Sequence, residues 1–586
     1  MGKILRINLT NKKFKTQDLS LSLMKEYIGG KGFGTKILYD EVGKSVNPLS
    51  PENKLIFTVG PATGTLVPTS SKVGLFFKSP LTGIYAESYS SGQIAPRIKW
   101  AGYDVIVIEG KSKDPVYVLI DDGNIEIKNA EHLWGKDTYY TEDAIRKDFG
   151  DDDNLRVASI GKAGENLVKI ACIENDYWRS FGRCGSGAVM GSKNLKAIAI
   201  RGTKKVSVAY PEKLESLIKE IFKKITESTL SFRLYGTPMM VDRTNQQGVF
   251  PTKYWQEGIF DEFESINAKS ILESVFVRNE SCFACPIACG KVCEVKEGPY
   301  SGVKVSGPEY ETIFAFGGLC EISDIKAICK INDLCDRYGL DTISTGNVIA
   351  FAIEAYKRGK LKTEFPLDYG DPETIISLIE LIAKREGIGN ILAEGVKKAS
   401  EKLSLKDLAI HVKGLELPGY DPRGLKAVSL AYAIATRGAC HLRACAYAFE
   451  LDGIFDRFSM DLKKVDILID WEDRFTIFDS MLLCRFARNI YHWEDLSQIY
   501  ESITGNEMSI SKLREISKKI TNLARMFSVR EGISRKDDIL PPKFFSEAFS
   551  KGSSAQQVIS KAEFEKMLEE YYVKREWNLN GIPKKL

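Results

Sequence analysis

Residues Pro211–Ile225 read PEKLESLIKEIFKKI, and Leu214, Leu217, Ile218, Ile221, Phe222 and Ile225 are apolar positions within it. Steps of three and four residues put these side chains on one stripe of an amphipathic helix, predicted to face a core. Helical patterns of this kind dominate the rest of the chain. Upstream the pattern is one of strands and tight turns. Lys54–Val59 (KLIFTV), Val73–Phe77 (VGLFF), Asp104–Glu109 (DVIVIE), Val116–Ile120 (VYVLI) and Lys196–Ile200 (KAIAI) are short β-rich runs bounded by Gly, Pro or Asp-Gly. Asp121-Asp122-Gly123-Asn124 reads as a hairpin turn. The change of pattern near Val208 predicts an α+β chain, β-rich first and helical after.

A chain of 586 residues is too long for one core, so two to four domains are expected. Net charge is only +4 and no basic block interleaves with aromatics, which argues against a nucleic-acid partner. No apolar run reaches the length of a membrane span. The N-terminal ten residues alternate apolar and polar like a strand and do not resemble a signal peptide, so a cytoplasmic location is expected. Twelve cysteines are too dilute for a disulfide scaffold, and their clustering points to metal in a reducing compartment.

That cluster is Cys282, Cys285 and Cys289, a C-x-x-C-x-x-x-C run inside RNESCFACPIACGKVC, with Cys484 far downstream. Three near thiolates and one remote thiolate suit the four corners of a [4Fe–4S] cubane. Spacing alone also permits a zinc knot from Cys282, Cys285, Cys289 and Cys293. A second feature bears on Cys484. Asp336-Arg-Tyr-Gly339-Leu340-Asp341 and Asp479-Ser-Met-Leu482-Leu483-Cys484 share the frame D-x-x-x-L-[D/C], which unrelated helix ends would also produce, the first with Gly339 as its C-cap. A glycine-rich stretch, Gly182–Lys193, invites a dinucleotide reading. DYWRSFG before it does not read as the strand that such a fingerprint follows, and a strand-like run comes after it, so another phosphate-bearing cofactor is the better expectation.

Ten ordered segments together resemble the tungsten-containing aldehyde ferredoxin oxidoreductase family. They are YIGGKGFG from Tyr27, PLSPENKL from Pro48, SPLTG from Ser79, AGYD from Ala101, GAVMGSKNLK from Gly187, CFACPIACG from Cys282, GPEYE from Gly307, GLDTIS from Gly339, LELPGYDPRG from Leu415 and RGACHLR from Arg437. The resemblance implies an N-terminal β-sheet domain (1–208) seating a tungsten bis-pyranopterin. Two mainly helical domains (209–414 and 415–586) would cover it. It implies a [4Fe–4S] cluster on Cys282, Cys285, Cys289 and Cys484. Asp336, Gly339, Leu340 and Asp341 would hold one pterin, and Asp479, Leu483 and Cys484 the other. Arg443 would also bind cofactor, and Arg179, Gly182 and Arg183 would approach pterin phosphates bridged by Mg²⁺.

By the same resemblance Glu311 of GPEYE and His441 of RGACH lie at the reacting centre, Glu311 as general base and His441 as a donor to the carbonyl oxygen, with Tyr420 as a further donor. The implied reaction oxidises an aldehyde to a carboxylic acid and passes electrons to ferredoxin. Reduction of an aromatic acyl-CoA is the alternative within the family, and a zinc-stapled structural protein is the alternative outside it. Lys330-Ile-Asn-Asp333 stands where metal-bridged homodimers of the family carry E-x-x-H, which predicts instead a partner such as a small ferredoxin-like iron–sulfur subunit. The second pterin frame departs from the family in carrying Leu482 where glycine is expected.

Overall fold

The computed structural model describes residues 2–585. Lys3–Asn8 lies antiparallel to Lys13–Asp18 and parallel to Val105–Glu109. The sheet continues from Val105–Glu109 through Leu55–Thr58, Val73–Lys78 and Tyr85–Ser90. Its inner strands are covered on both faces, which is why KLIFTV and VGLFF read as unbroken apolar runs. A second six-stranded sheet runs in the order Arg179–Phe181, Ile173–Asn175, Leu155–Ser159, Leu195–Arg201, Val116–Asp121, Asn124–Asn129. The predicted hairpin is there: Asp121 faces Asn124, and Asp122 and Gly123 turn the chain with positive φ.

Among the strands of these two sheets that escape the sequence reading are Tyr85–Ser90, Leu155–Ser159, Ile173–Asn175 and Arg179–Phe181. The first shows why: YAESYS buries Glu87, Ser88 and Ser90, so it lacks apolar alternation. Arg179–Phe181 also corrects the context argued for the glycine-rich stretch. A strand does precede it and a helix, Ser186–Ser192, follows. That helix nevertheless uses its glycines for packing, since a Cβ on Gly187 or Gly191 would strike the carbonyl oxygen of Cys172 or Gly164.

The helix predicted from Pro211 runs to Ser228 and buries Leu214, Ile221 and Ile225. Leu217 and Ile218 are half-buried, whereas Phe222, assigned above to the same stripe, is 51% exposed. The inward face is thus narrower than the apolar stripe. From here the chain is helical apart from a three-stranded and a two-stranded sheet. The helical part does not form a separate core. Gly30–Glu41 packs against Lys463–Met481 and Ile510–Arg530, so one apolar interior joins the N-terminal sheets to the C-terminal helices.

Both halves of the D-x-x-x-L frame close a helix in the same way. Ile325–Tyr338 ends on Gly339 and Lys463–Met481 ends on Leu482, each in the left-handed region. Each end is sealed by the bond that closes a Schellman turn, Leu340 N–H to Cys335 O at 2.8 Å and Leu483 N–H to Phe478 O at 2.9 Å. Each is also met closely by a glycine of the sheet region. A Cβ on Gly161 would lie 2.4 Å from the Tyr338 carbonyl oxygen, and one on Gly60 would lie 2.2 Å from that of Met481.

Candidate active site

Glu311 sits in the first turn of Tyr310–Ile313, which continues into a π-turn over Phe314–Gly318. Such widened turns are frequent at functional sites. One carboxylate oxygen accepts the Gly419 N–H at 3.0 Å, so the LELPGYDPRG loop fixes its orientation. The other, Oε1, is buried without a hydrogen-bond partner and faces His441 Nε2 at 3.5 Å. Burial pushes the Glu311 carboxyl up to about 8. Burial, reinforced by Arg183, Arg437 and Arg443, holds His441 well below the usual imidazole range, so it is neutral. The pair is therefore a proton acceptor of raised basicity beside an uncharged imidazole, whose N–H can donate.

Tyr420 belongs to an aromatic wall beside this pair. It stacks on Tyr447 with ring centroids 4.0 Å apart and lies 5.6 Å from the His441 ring. Tyr310 packs on its other side at 5.3 Å. Tyr447 escaped the sequence reading, because one aromatic in a helix carries no signal of its own.

Arginines crowd the space next to the pair. Arg183 donates to the carbonyls of Ala439 and Glu416 and to Asp341. Arg443 Nη1 bridges Glu87 and Asp479 at 2.7 and 2.6 Å, and Arg485 Nη2 reaches the same Asp479 oxygen at 2.7 Å. Lys31 joins Glu87 at 3.1 Å. Arg437 donates to the Glu87 carbonyl and to the Cys440 sulfur at 3.1 Å. Burial opposes ionisation of Cys440, but Arg437 and Arg443 outweigh it and bring the thiol down to about 6. Lys31, Glu87, Arg437, Cys440 and Arg485 were not singled out from the sequence. Arg437 and Cys440 flank His441 in RGACHLR, and Arg485 follows Cys484, so adjacency was the available signal.

Buried donors left over define what this space suits. Arg437 Nε, Arg443 Nε and Arg485 Nη1 have no hydrogen-bond partner. Orphaned guanidinium N–H groups at such depth fit an anionic group of the phosphate-bearing pterin kind. Gly182 faces open space, with nothing nearer its Cβ position than Ser180 at 3.9 Å.

The two aspartates of the first frame differ. Asp341 caps Thr342–Lys357 by accepting from the Ile343 and Ser344 N–H groups. Asp336 accepts from Asn332 at 2.7 Å, and burial, with Glu174 and Asp333 nearby, pushes it well above the carboxylate range. Leu340 and Leu483 are buried.

The cysteines divide three plus one. Packing around Cys285 pushes its thiol up to about 12, and Cys484 and Cys282 add to the rise. Cys289 is raised well above its usual value by burial, Glu309, Cys282 and Cys484. Thiols crowded in this way ionise only against a compensating cation, which the iron of an iron–sulfur cluster would provide. Thr69 ties the two parts together: its N–H bonds the Ala284 carbonyl at 3.3 Å and its carbonyl takes the Cys484 N–H at 3.0 Å. Cys293 is elsewhere. It lies fully buried in the strand Gly290–Glu294, paired with Phe276 and Val305. Among the described residues no three His, Cys, Asp or Glu side chains converge on a single-ion site. Arg179 lies apart from Arg183, bonded to Glu280 at 3.1 Å; against the cost of burial, Cys282, Glu280 and Cys289 hold its pKa above the usual value.

A half-buried Glu–His pair, an arginine-lined space and four gathered thiols on this α+β scaffold define an oxidoreductase. Residues 4–202 match the family model "Aldehyde ferredoxin oxidoreductase, N-terminal domain", and residues 216–586 match its "domains 2 & 3". The chain belongs to the aldehyde ferredoxin oxidoreductase family. It is 38% identical to the tungsten-containing aldehyde ferredoxin oxidoreductase of Pyrococcus furiosus, over 100% of this chain and 97% of that protein. It is 32% identical to the "aliphatic sulfonate oxidoreductase, WOR-like subunit" of the same organism, over 100% and 95%. Its fold also matches the solved active-site complex BamBC of benzoyl coenzyme A reductase, bound to 1,5-dienoyl-CoA. That match has a TM-score of 0.86 at 27% identity, over 99% of this chain and 95% of that one.

Proposed function

We propose that this chain oxidises aldehydes to carboxylic acids, holding a tungsten bis-pyranopterin and a [4Fe–4S] cluster and passing electrons to ferredoxin. The observation that carries the reading is the buried, unpartnered Glu311 Oε1 facing neutral His441 at 3.5 Å. Identity of 38% to a named aldehyde oxidoreductase favours an aldehyde over an acyl-CoA substrate. Arg183, Arg437, Arg443 and Arg485 would hold the pterin phosphates, and Cys282, Cys285, Cys289 and Cys484 the cluster.

Overall, R–CHO and H₂O become R–COOH, two protons and two electrons. When bound, a tungsten pterin held by these residues would supply the two-electron sink, and a cluster on the four thiols would supply one-electron transfer. Glu311 Oε1 takes a proton from the water that adds to the carbonyl carbon, and a carboxylate with its pKa raised toward 8 is a stronger base for this than an ordinary one. His441 holds the carbonyl oxygen by its N–H. Tyr420 and Tyr447 form an aromatic wall beside the pair, with Tyr420 placed near the His441 ring.

The test is elemental analysis of anaerobically purified protein, together with aldehyde-dependent viologen reduction. About four iron with tungsten, plus turnover, is expected for one cubane. Zinc in place of both, or turnover of acyl-CoA thioesters but not of aldehydes, would refute the proposal.

A further inference from the structure

A groove of about 600 Å³ opens beside the cysteine loop, lined by Leu66, Arg97, Trp100, Lys204, Lys205 and Phe283 among others. Phe283 follows Cys282 directly, and its N–H is bonded to the Gly92 carbonyl at 3.1 Å. Its ring meets Trp100 edge to face at 5.1 Å, and the Arg97 guanidinium lies over Trp100 at 4.9 Å. Trp100 is anchored in turn to the Gly64 carbonyl at 3.1 Å. Leu66 is 67% exposed, on the same loop whose Thr69 clamps Cys484 to the Cys282–Cys289 segment. An apolar floor fixed to both parts of the thiol set is thus presented at the surface.

Its charge is one-sided. Three cations and no carboxylate line the groove. Carboxylates stand only beyond the lining: Asp122 accepts from the groove's own Thr203, and the exposed Asp153 faces Arg146 at 3.4 Å. Lys204 donates to backbone carbonyls of Ala101 and Asp122, while Lys205 is exposed with no bonded partner among the described residues. An exposed leucine and two aromatic rings within a cationic rim fit a partner that presents carboxylates around an apolar centre.

The geometry points to this groove as the docking surface for an acidic iron–sulfur electron carrier, which receives electrons one at a time past Cys282 and Phe283. The inference rests on the electron-transfer reading above. Each encounter moves a single electron from the reduced cluster to the oxidised carrier, with no bond made or broken.

The test compares wild-type holoenzyme with the double variant Leu66→Glu, Lys205→Glu, and with Val573→Glu as an equally exposed control on the helix Lys561–Lys574. An acidic ferredoxin is the probe, its Kd is measured directly, and viologen turnover is followed separately. Expected is at least a tenfold weaker Kd in the double variant only, viologen turnover within twofold of wild type, and wild-type binding that weakens several-fold with added salt. An unchanged Kd in the double variant, or equal weakening in Val573→Glu, would overturn the assignment. Absence of aldehyde turnover in wild type would sink the enzymatic reading instead and leave the Kd comparison intact.

Discussion

Gly339 and Leu482 end two different helices in one backbone conformation, with φ of 70° and 59°. Glycine takes this conformation freely, whereas a leucine is strained there by about 1–2 kcal/mol. Leu482 is fully buried, and burying such a side chain is worth about 2–3 kcal/mol, which offsets the strain. Gly339 has no such option, since its Cβ position lies 3.0 Å from the Gly161 nitrogen and 3.2 Å from the Cys172 oxygen. Two substitutions in opposite directions should therefore both destabilise. Gly339→Ala is expected to cost about 1–2 kcal/mol through strain, and Leu482→Gly about 2 kcal/mol net through lost packing. Thermal unfolding of the two variants checks this, and a rise in Tm for Leu482→Gly would contradict it.

Arg443 carries the next expectation. Its guanidinium neutralises Glu87 and Asp479, both buried. Removing one partner from a buried ion network strands charge at a cost of about 3–5 kcal/mol. Arg443→Met should lower Tm strongly, and Arg443→Lys less, because an ammonium keeps the charge but not the planar fork. Equal Tm for wild type and Arg443→Met would mean that Lys31 and Arg485 alone satisfy the two carboxylates.

The strand and helix regions were legible because their periodicities are local. KLIFTV and PEKLESLIKEIFKKI announce themselves within a few residues. The site is less so, for a physical reason: Arg443 and Glu87 are 356 positions apart, and Thr69 reaches both Ala284 and Cys484. No window along the chain contains such pairs. His441 and Glu311 were accessible only through resemblance, since one histidine and one glutamate carry no pattern of their own. Phe222 shows the opposite limit, an apolar residue in correct helical phase that the tertiary packing leaves exposed.

The two cysteine readings separate in a pair of variants. Cys484 is an electrostatic neighbour of Cys285 and Cys289, whereas Cys293 is a neighbour of Cys329. Cys484→Ser should alter or abolish the cluster EPR signal and lower the iron content. Cys293→Ser should keep both and lose only some stability, as a polar hydroxyl replaces a fully buried thiol. The reverse outcome would place the fourth ligand at Cys293.

Glu311 gives the prediction with a defined pH. Its carboxyl is raised to about 8 by burial, so below that pH the acid form dominates and the base is scarce. Because the proposed step uses the carboxylate, kcat/KM should rise with pH and level off above about 8. His441 is held far below neutrality and adds no second ionisation in this range. Glu311→Gln should remove the pH-dependent limb and reduce turnover by roughly 10²–10⁴-fold, the usual contribution of a general base. Tungsten and iron contents should be unchanged, because Glu311 bonds only the Gly419 N–H and faces His441. His441→Asn should also lower turnover, while the limb near pH 8 remains, since that limb belongs to Glu311. A pH–rate profile of Glu311→Gln that overlays the wild type would remove Glu311 from the chemistry.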